Sequence, residues 1–161
     1  MRMSEGVEWA VHCCLNLAWA DAGRGVPAAR LAALYQLPAA YLNKQLQALV
    51  RDGILMSTSG PRGGFRLGRR PADITLLDIV TAIEGADEAF RCTEIRRRTP
   101  WPHTQGDFRD PCLIHQAMGR ADLAWRRELA AQTLAEVKAT VERSAPGLPG
   151  RTREWLAATP H

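Results

Sequence analysis

Two short helical segments separated by a tight break are the feature that most constrains this fold. In LAALYQLPAAYLNKQLQALVRDGIL, apolar residues recur at helical spacing on each side of the break, at Leu31, Leu34, Leu42, Leu46, Leu49 and Val50. The break falls at Gln36–Pro38, and Pro38 suits the first turn of a helix, where its missing N–H needs no intrahelical partner. Two apolar helices joined in this way predict a helix-turn-helix.

A glycine-rich hairpin is predicted directly after this helix pair. The stretch ILMSTSGPRGGFRL has two short extended runs on either side of a turn that carries Arg62 at its tip. Glycine and proline at this density are typical of a tight turn between strands. A hairpin in this position predicts a two-stranded wing.

The remaining segments are mostly helical. A first helix is predicted from Val7 onward, and ITLLDIVTAIEG predicts another, with Thr75 and Asp78 as a capping box and Gly85 as its stop. From Cys112 to about Val141 the sequence predicts one long helix, too extended to fold back on a single small domain. We therefore expect a mainly α protein: a winged helix-turn-helix domain with a two-stranded wing and a long C-terminal dimerisation helix.

The chain divides into four regions within one structural domain. Residues 1–85 form the winged helix-turn-helix region, residues 86–111 an irregular loop, residues 112–143 the dimerisation helix and residues 144–161 a C-terminal tail. The tail is predicted to be either a short docked helix or a loose end. A loop as long as 86–111 inside a small domain usually indicates function or disorder.

The length, net charge and motifs of the sequence limit the classes of protein to which this chain can belong. With 161 residues, the chain is long enough for one domain with a hydrophobic core, and its net charge of +4 favours a polyanionic partner. The sequence has no apolar run of membrane-spanning length and no signal-peptide pattern, so we expect a cytoplasmic protein without a membrane partner. It also lacks a phosphate-binding glycine loop and a nucleophile elbow, which argues against an enzyme.

The outward face of the second helix-turn-helix segment has the composition of a DNA-reading surface. Small, polar or basic residues lie opposite its leucines, at Ala40, Tyr41, Lys44, Gln47, Ala48 and Arg51. Small residues let a helix enter the major groove, while Lys44 and Gln47 can bond base edges and Tyr41 or Arg51 can hold phosphates. On the wing, Arg62 and Arg66 would add backbone or minor-groove contacts. The alternative is a solvated helix face beside an ordinary basic loop.

These segments together resemble the IscR/NsrR family of bacterial transcription regulators. The wing GPRGGFRL and the helix ITLLDIVTAIEG carry the specific part of the resemblance, which extends from the first helix to about Val141. The resemblance implies a homodimer bound to a palindromic double-stranded DNA operator, with the C-terminal helices crossing between subunits. It also implies an iron-sulfur cluster, because many members carry three closely spaced cysteines after the AIEG helix.

This chain departs from the three-cysteine pattern. Cys92 matches the first ligand, Arg98 stands where the second would fall, and no further cysteine appears until Cys112. Two thiolates must therefore be joined by other ligands, and Glu8 and His12 on the first helix are the candidates. Their i, i+4 spacing puts a carboxylate and an imidazole on one helix face. Two thiolates, one imidazole and one carboxylate fit the terminal positions of a [2Fe-2S] cluster, with the two pairs of ligands contributed by different subunits.

Alternative ligands and metals stay open. Cys13 lies off the apolar stripe of the first helix, and His103 and His115 lie in or near the irregular loop. A tetrahedral zinc site would accept the same ligand types. Glu8 and His12 can equally be a weak surface pair without any metal.

The sequence therefore predicts a DNA-binding regulator whose operator affinity depends on the redox state of a [2Fe-2S] cluster, nearest to the redox-sensing members of the family. Imidazole ligation raises cluster potentials, as in Rieske centres, and Trp9 beside Glu8 is the residue predicted to couple the cluster to the reading head. The alternative is a cluster-free or zinc-containing regulator of the same family that senses a small ligand, or thiol oxidation at Cys13 or Cys92.

Overall fold

The computed structural model describes residues 3–20, 23–60, 63–104, 106 and 108–158. Within these residues the elements run in the order α1 (Glu5–Trp19), α2 (Ala28–Leu34), α3 (Ala39–Arg51), β1 (Leu55–Thr58), β2 (Gly64–Leu67), α4 (Leu76–Glu84), α5 (Leu113–Ala130), α6 (Leu134–Ser144) and α7 (Leu148–Ala157). Two short 3-10 helices lie between these elements, at Pro71–Asp73 and Ile95–Arg98. The expected mainly α winged helix-turn-helix is confirmed.

Helix α1 forms the centre of the core. It packs against α3, α4, α6, α7 and β2, so side chains on most of its faces are buried. Cys13 is fully buried together with Cys14, and the prediction that Cys13 lies off the core is therefore wrong. The apolar periodicity of α1 predicts burial of one face only, whereas neighbouring elements bury side chains on several faces of this helix.

The helix-turn-helix has the predicted break. Pro38 occupies the N-cap of α3, and Gln36 in the turn adopts a left-handed conformation with φ 55°. Leu42, Leu46 and Leu49 of α3 are fully buried, which fixes the opposite face of this helix toward the exterior. The leucine spacing thus determined both the helix and its orientation.

The wing is an antiparallel hairpin in which Leu55 pairs with Leu67 and Thr58 pairs with Gly64. Val26, just before α2, adds an antiparallel bridge to Phe65 and ties the wing to the helical body. Gly64 has φ 135°, and a side chain at this position would collide with the backbone of Val26. The wing tip with Arg62 lies outside the described residues.

The C-terminal half differs from the single long helix expected between residues 112 and 143. The helix breaks after Ala130 and restarts at Leu134, because Thr133 and Glu136 form a reciprocal capping box that begins α6. The break lets Thr133 form a bridge with Thr75, and the N–H of Leu134 donates to the carbonyl of Ile74 over 2.8 Å. Helix α6 consequently packs against α1 and the turn at Pro71–Asp73, while α5 packs against α4.

The tail contains a docked helix, α7, which is the first of the two predicted alternatives. The Arg30 guanidinium stacks on the Trp155 ring at 3.7 Å and donates to the Trp155 carbonyl. Arg153 donates to the carbonyl of Trp19, whose indole N–H donates to Glu142 over 2.8 Å. The first contact holds α7 against α2, and the others hold α6 and α7 against the end of α1.

Across the described helices, none combines the length and the apolar character required to cross a membrane.

Candidate nucleic-acid interface and sensor site

The outward face of α3 is available for DNA. Ala40, Tyr41, Lys44 and Arg51 are exposed, and Gln47 is partly buried. Ala48 is buried, contrary to the prediction, because it faces the body rather than the solvent. The other predicted reading residues of this helix share one surface that is polar and basic, as a helix that enters the major groove requires.

Of the two wing arginines predicted to contact DNA, Arg66 lies among the described residues, and it is less exposed than expected. Arg66 on β2 is partly buried, and its Nε is inaccessible to solvent and has no hydrogen-bond partner among the described residues. Arg66 pairs with Met56 across the wing, and its guanidinium is partly enclosed.

Helix α1 contacts the helix-turn-helix through two aromatic pairs. Trp9 meets Tyr41 of α3 edge-to-face, with ring centroids 5.3 Å apart. His12 lies against Tyr35 in the turn, with ring centroids 5.5 Å apart, and the buried Asn16 donates from Nδ2 to the Tyr35 hydroxyl over 2.8 Å. Burial raises the pKa of Tyr35, so its hydroxyl keeps its proton while the oxygen accepts this hydrogen bond. One helix thus carries two predicted metal ligands and touches the reading helix.

The two loop cysteines lie near a common arginine. Cys92 and Cys112 are free thiols, each partly buried. Arg96 forms a bidentate ion pair with Glu94, whose N–H points at the Cys92 Sγ 3.4 Å away. The Arg96 guanidinium also donates to the carbonyl of Asp110 over 3.3 Å, two residues before Cys112. One arginine therefore links the segments that hold the two cysteines, which have nineteen residues between them.

Cys112 has the environment of a thiolate. It occupies the N-cap of α5, where the backbone N–H groups of His115 and Ile114, with the nearby Arg96 guanidinium, lower its pKa. Helix N-termini and cationic neighbours favour a thiolate in this way. Cys13, in contrast, has its pKa raised to about 12 by burial, and burial also raises the pKa of Cys14. Of these three thiols, only that of Cys112 is favoured as a ligand by its surroundings.

The four predicted ligands do not meet within one chain. Glu8 and His12 are exposed on α1, and among the residues that the structure describes no three His, Cys, Asp or Glu side chains are grouped closely enough to hold a metal ion. The donor types nevertheless fit an iron-sulfur cluster, since the loop and the start of α5 carry two partly exposed thiols, and α1 carries an exposed carboxylate and imidazole that can face another molecule.

Two histidines proposed as rivals have other contacts. His115 lies 4.0 Å from a Glu88 oxygen, beside the Phe90 ring, and its Nδ1 is buried without a partner among the described residues. It lines a pocket together with Cys92. His103 packs against Phe108 and reaches the Thr99 hydroxyl over 3.1 Å.

Sequence reasoning missed Arg96 and Tyr35. The IRRR run signalled a basic loop but not which arginine approaches the cysteines. Tyr35 gave no signal, because its partners lie on α1 and are set by packing.

Comparison with known proteins identifies the family. The sequence profile of Rrf2, described as an iron-dependent transcriptional regulator, matches residues 3–140. The chain belongs to the Rrf2 family. Within that family, the HTH-type transcriptional regulator YffB of Lactococcus lactis is 30% identical over 137 residues, which cover 85% of this chain and 86% of YffB. The regulator IscR of Escherichia coli is 27% identical over 92 residues, or 57% of each chain.

A solved structure supports the same fold. CymR of B. subtilis, described as the global cysteine regulator, superposes with a TM-score of 0.67 at 20% identity, covering 87% of this chain and 98% of CymR. Together, these findings confirm the resemblance to IscR-type regulators. This Rrf2 protein is a DNA-binding transcriptional regulator, and its relatives are regulators rather than enzymes.

Proposed function

We propose that this Rrf2 protein is a homodimeric regulator whose operator affinity is set by the redox state of a [2Fe-2S] cluster. Cys92 and Cys112 would bind one iron, and Glu8 and His12 of the partner subunit would bind the other. The observation that carries the proposal is the Arg96 side chain, which pairs with Glu94 beside Cys92 and donates to the carbonyl of Asp110, two residues before Cys112. A cluster bound here supplies reversible one-electron chemistry.

The surface of α5 supports a dimer. Large apolar side chains are exposed on this helix and on the preceding loop, at Ile95, Trp101, Leu113, Ile114, Met118 and Leu123. Apolar surface of this extent is typical of a subunit interface. Rrf2 regulators are typically dimeric, and a partner that covers α5 also comes close to the cysteine at its N-terminus, Cys112.

The contacts of α1 support communication between the cluster and DNA. A change of one unit of charge beside Glu8 and His12 acts on the helix that holds Trp9 against Tyr41 and His12 against Tyr35. Tyr41 is on the reading face and Tyr35 is in the turn before it. A small displacement of α1 is therefore transmitted directly to the element that reads DNA.

The test is operator binding by one preparation in two redox states. We expect an operator selected with the oxidised protein to bind with a different affinity after anaerobic one-electron reduction, and the difference to vanish in Cys92→Ala. Equal operator affinities in both redox states, with an intact cluster spectrum, would contradict redox control of DNA binding.

A cluster-free thiol regulator is the second candidate, favoured by the lowered pKa of Cys112. The fold shared with CymR is compatible with it. In that case the reactive thiol is Cys112 rather than Cys13, because Cys13 is fully buried. Iron, sulfide and zinc analysis of anaerobically purified protein separates this candidate, and a zinc-containing regulator, from the cluster-bearing one.

A further inference from the structure

A cavity of about 530 Å³ lies between the end of α1, the outer face of the wing and the turn that follows it. Its apolar wall includes Leu17 and Phe65. Its polar rim consists of four arginines, Arg24, Arg66, Arg69 and Arg70. Helix α3 contributes no residue, so the cavity is separate from the reading face of that helix.

Two of the four arginines are already neutralised. Arg70 pairs with Asp73 at 2.6 Å, and Arg69 lies 3.6 Å from Asp78 while its guanidinium also donates to the carbonyl of Gly53. These two arginines have structural partners that stabilise the turn after the wing. They do not require a ligand.

The other two arginines are Arg24 and Arg66. The Nε of Arg66 is closed to solvent and has no acceptor among the described residues, while the exposed side chain of Arg24 lines the same cavity. An enclosed donor without an acceptor is unfavourable, and the two arginines place two positive charges beside one cavity. A bound anion would relieve both.

The backbone fixes the spacing of these two arginines. Val26 donates to the Phe65 carbonyl over 2.9 Å and accepts from the Phe65 N–H over 2.8 Å. Arg24 stands two residues before this bridge and Arg66 directly after it. The two side chains are therefore carried by adjacent, hydrogen-bonded segments rather than by independent loops.

We propose that this cavity binds a small organic anion. A phosphate or carboxylate group would lie between Arg24 and Arg66, with an apolar body against Leu17 and Phe65. Guanidinium groups bind both anions through charge-assisted hydrogen bonds. The inference goes beyond the proposed function, because this binding requires neither DNA nor a cluster. Its occupant would touch both the wing and α1, and so act on operator binding.

The experiment titrates the full-length protein with phenyl phosphate, followed by calorimetry and by amide NMR shifts in the wing, with phenol as the uncharged control. We expect saturable binding of phenyl phosphate but not of phenol. Arg24→Gln should weaken binding about tenfold, the loss of one charge-assisted contact. Arg151→Gln is the matched control: it removes the same charge from an exposed position on α7 outside the cavity, and should bind like the parent.

Either of two results would overturn the proposal: no saturable binding of phenyl phosphate by the parent, or equal affinities in Arg24→Gln and Arg151→Gln. The first result has a specific reading if Arg24→Gln also reduces the salt dependence of operator binding. That outcome assigns the arginines to the phosphates of the DNA backbone instead.

Discussion

Tyr35→Phe tests the link between α1 and the helix-turn-helix most simply. The change removes the hydroxyl that accepts a 2.8 Å hydrogen bond from the amide of Asn16, a residue only 2% exposed. A buried donor left without its acceptor costs about 1–3 kcal/mol. Tyr35 itself is 40% exposed, so water can partly replace the hydroxyl. We therefore expect the free energy of unfolding to fall by about 1 kcal/mol, toward the lower end of that range.

The assay is urea unfolding at fixed protein concentration, since the stability of a dimer depends on concentration. Tyr41→Phe is the matched control, because the Tyr41 side chain is exposed and its ring contact with Trp9 is kept. The midpoint should fall for Tyr35→Phe, with the slope unchanged, and stay within error for Tyr41→Phe. Equal midpoints for the two variants would show that the Asn16 bond adds nothing to stability.

Three further predictions concern DNA, the thiols and assembly. Lys44→Ala should weaken operator binding and reduce its salt dependence, whereas Gln47→Ala should relax base preference. If both variants bind like the parent at several salt concentrations, the reading face is wrongly assigned. In metal-free protein, the lowered pKa of Cys112 means that its thiolate persists as the pH falls below the usual range of a thiol, while Cys13 stays protonated below about pH 12. Mass-resolved alkylation at neutral pH should therefore label Cys112 and spare Cys13 until the protein unfolds, and the reverse order would contradict these environments. Light scattering at micromolar concentration should report a dimer. A monomer would contradict a cluster site shared between two subunits.

Local sequence signals predicted much of the fold. The capping box of Thr75 and Asp78 forms as expected, with the Asp78 N–H donating to the Thr75 hydroxyl oxygen over 3.1 Å. The leucine spacing of α3 and the glycine-rich turn of the wing were equally reliable, because each depends on residues within a few positions of one another.

The break between α5 and α6 was predictable in principle. Thr133 and Glu136 have the spacing of a capping box, the same signal that identified the start of α4. Continuous apolar periodicity across the segment outweighed that signal and predicted one helix. The structure shows that the local cap determines the start of α6.

Tertiary contacts lay beyond the sequence. Periodicity could not show that α1 is enclosed on several sides, which buries Cys13, nor that Arg96 links the segments that hold the two loop cysteines. The contacts of His12 and Asn16 with Tyr35 join elements that only packing brings together. The sequence identified which side chains have the chemistry of metal ligands, but the surroundings of those side chains depend on the fold.

The central claim is a cluster shared between subunits, and a mixed dimer tests it most directly. One protomer carries Cys92→Ala with Cys112→Ala, and the other carries Glu8→Ala with His12→Ala. If ligands come from different subunits, one of the two sites in the mixed dimer keeps all four; if they come from the same chain, neither does.

The measurement is the visible spectrum and iron content of the purified mixed dimer after anaerobic reconstitution, beside each variant homodimer. We predict colourless homodimers and a mixed dimer with about half the [2Fe-2S] absorbance of the parent, since one site of two is intact. A colourless mixed dimer, or a homodimer of either variant with a parent-like spectrum, would contradict the shared site.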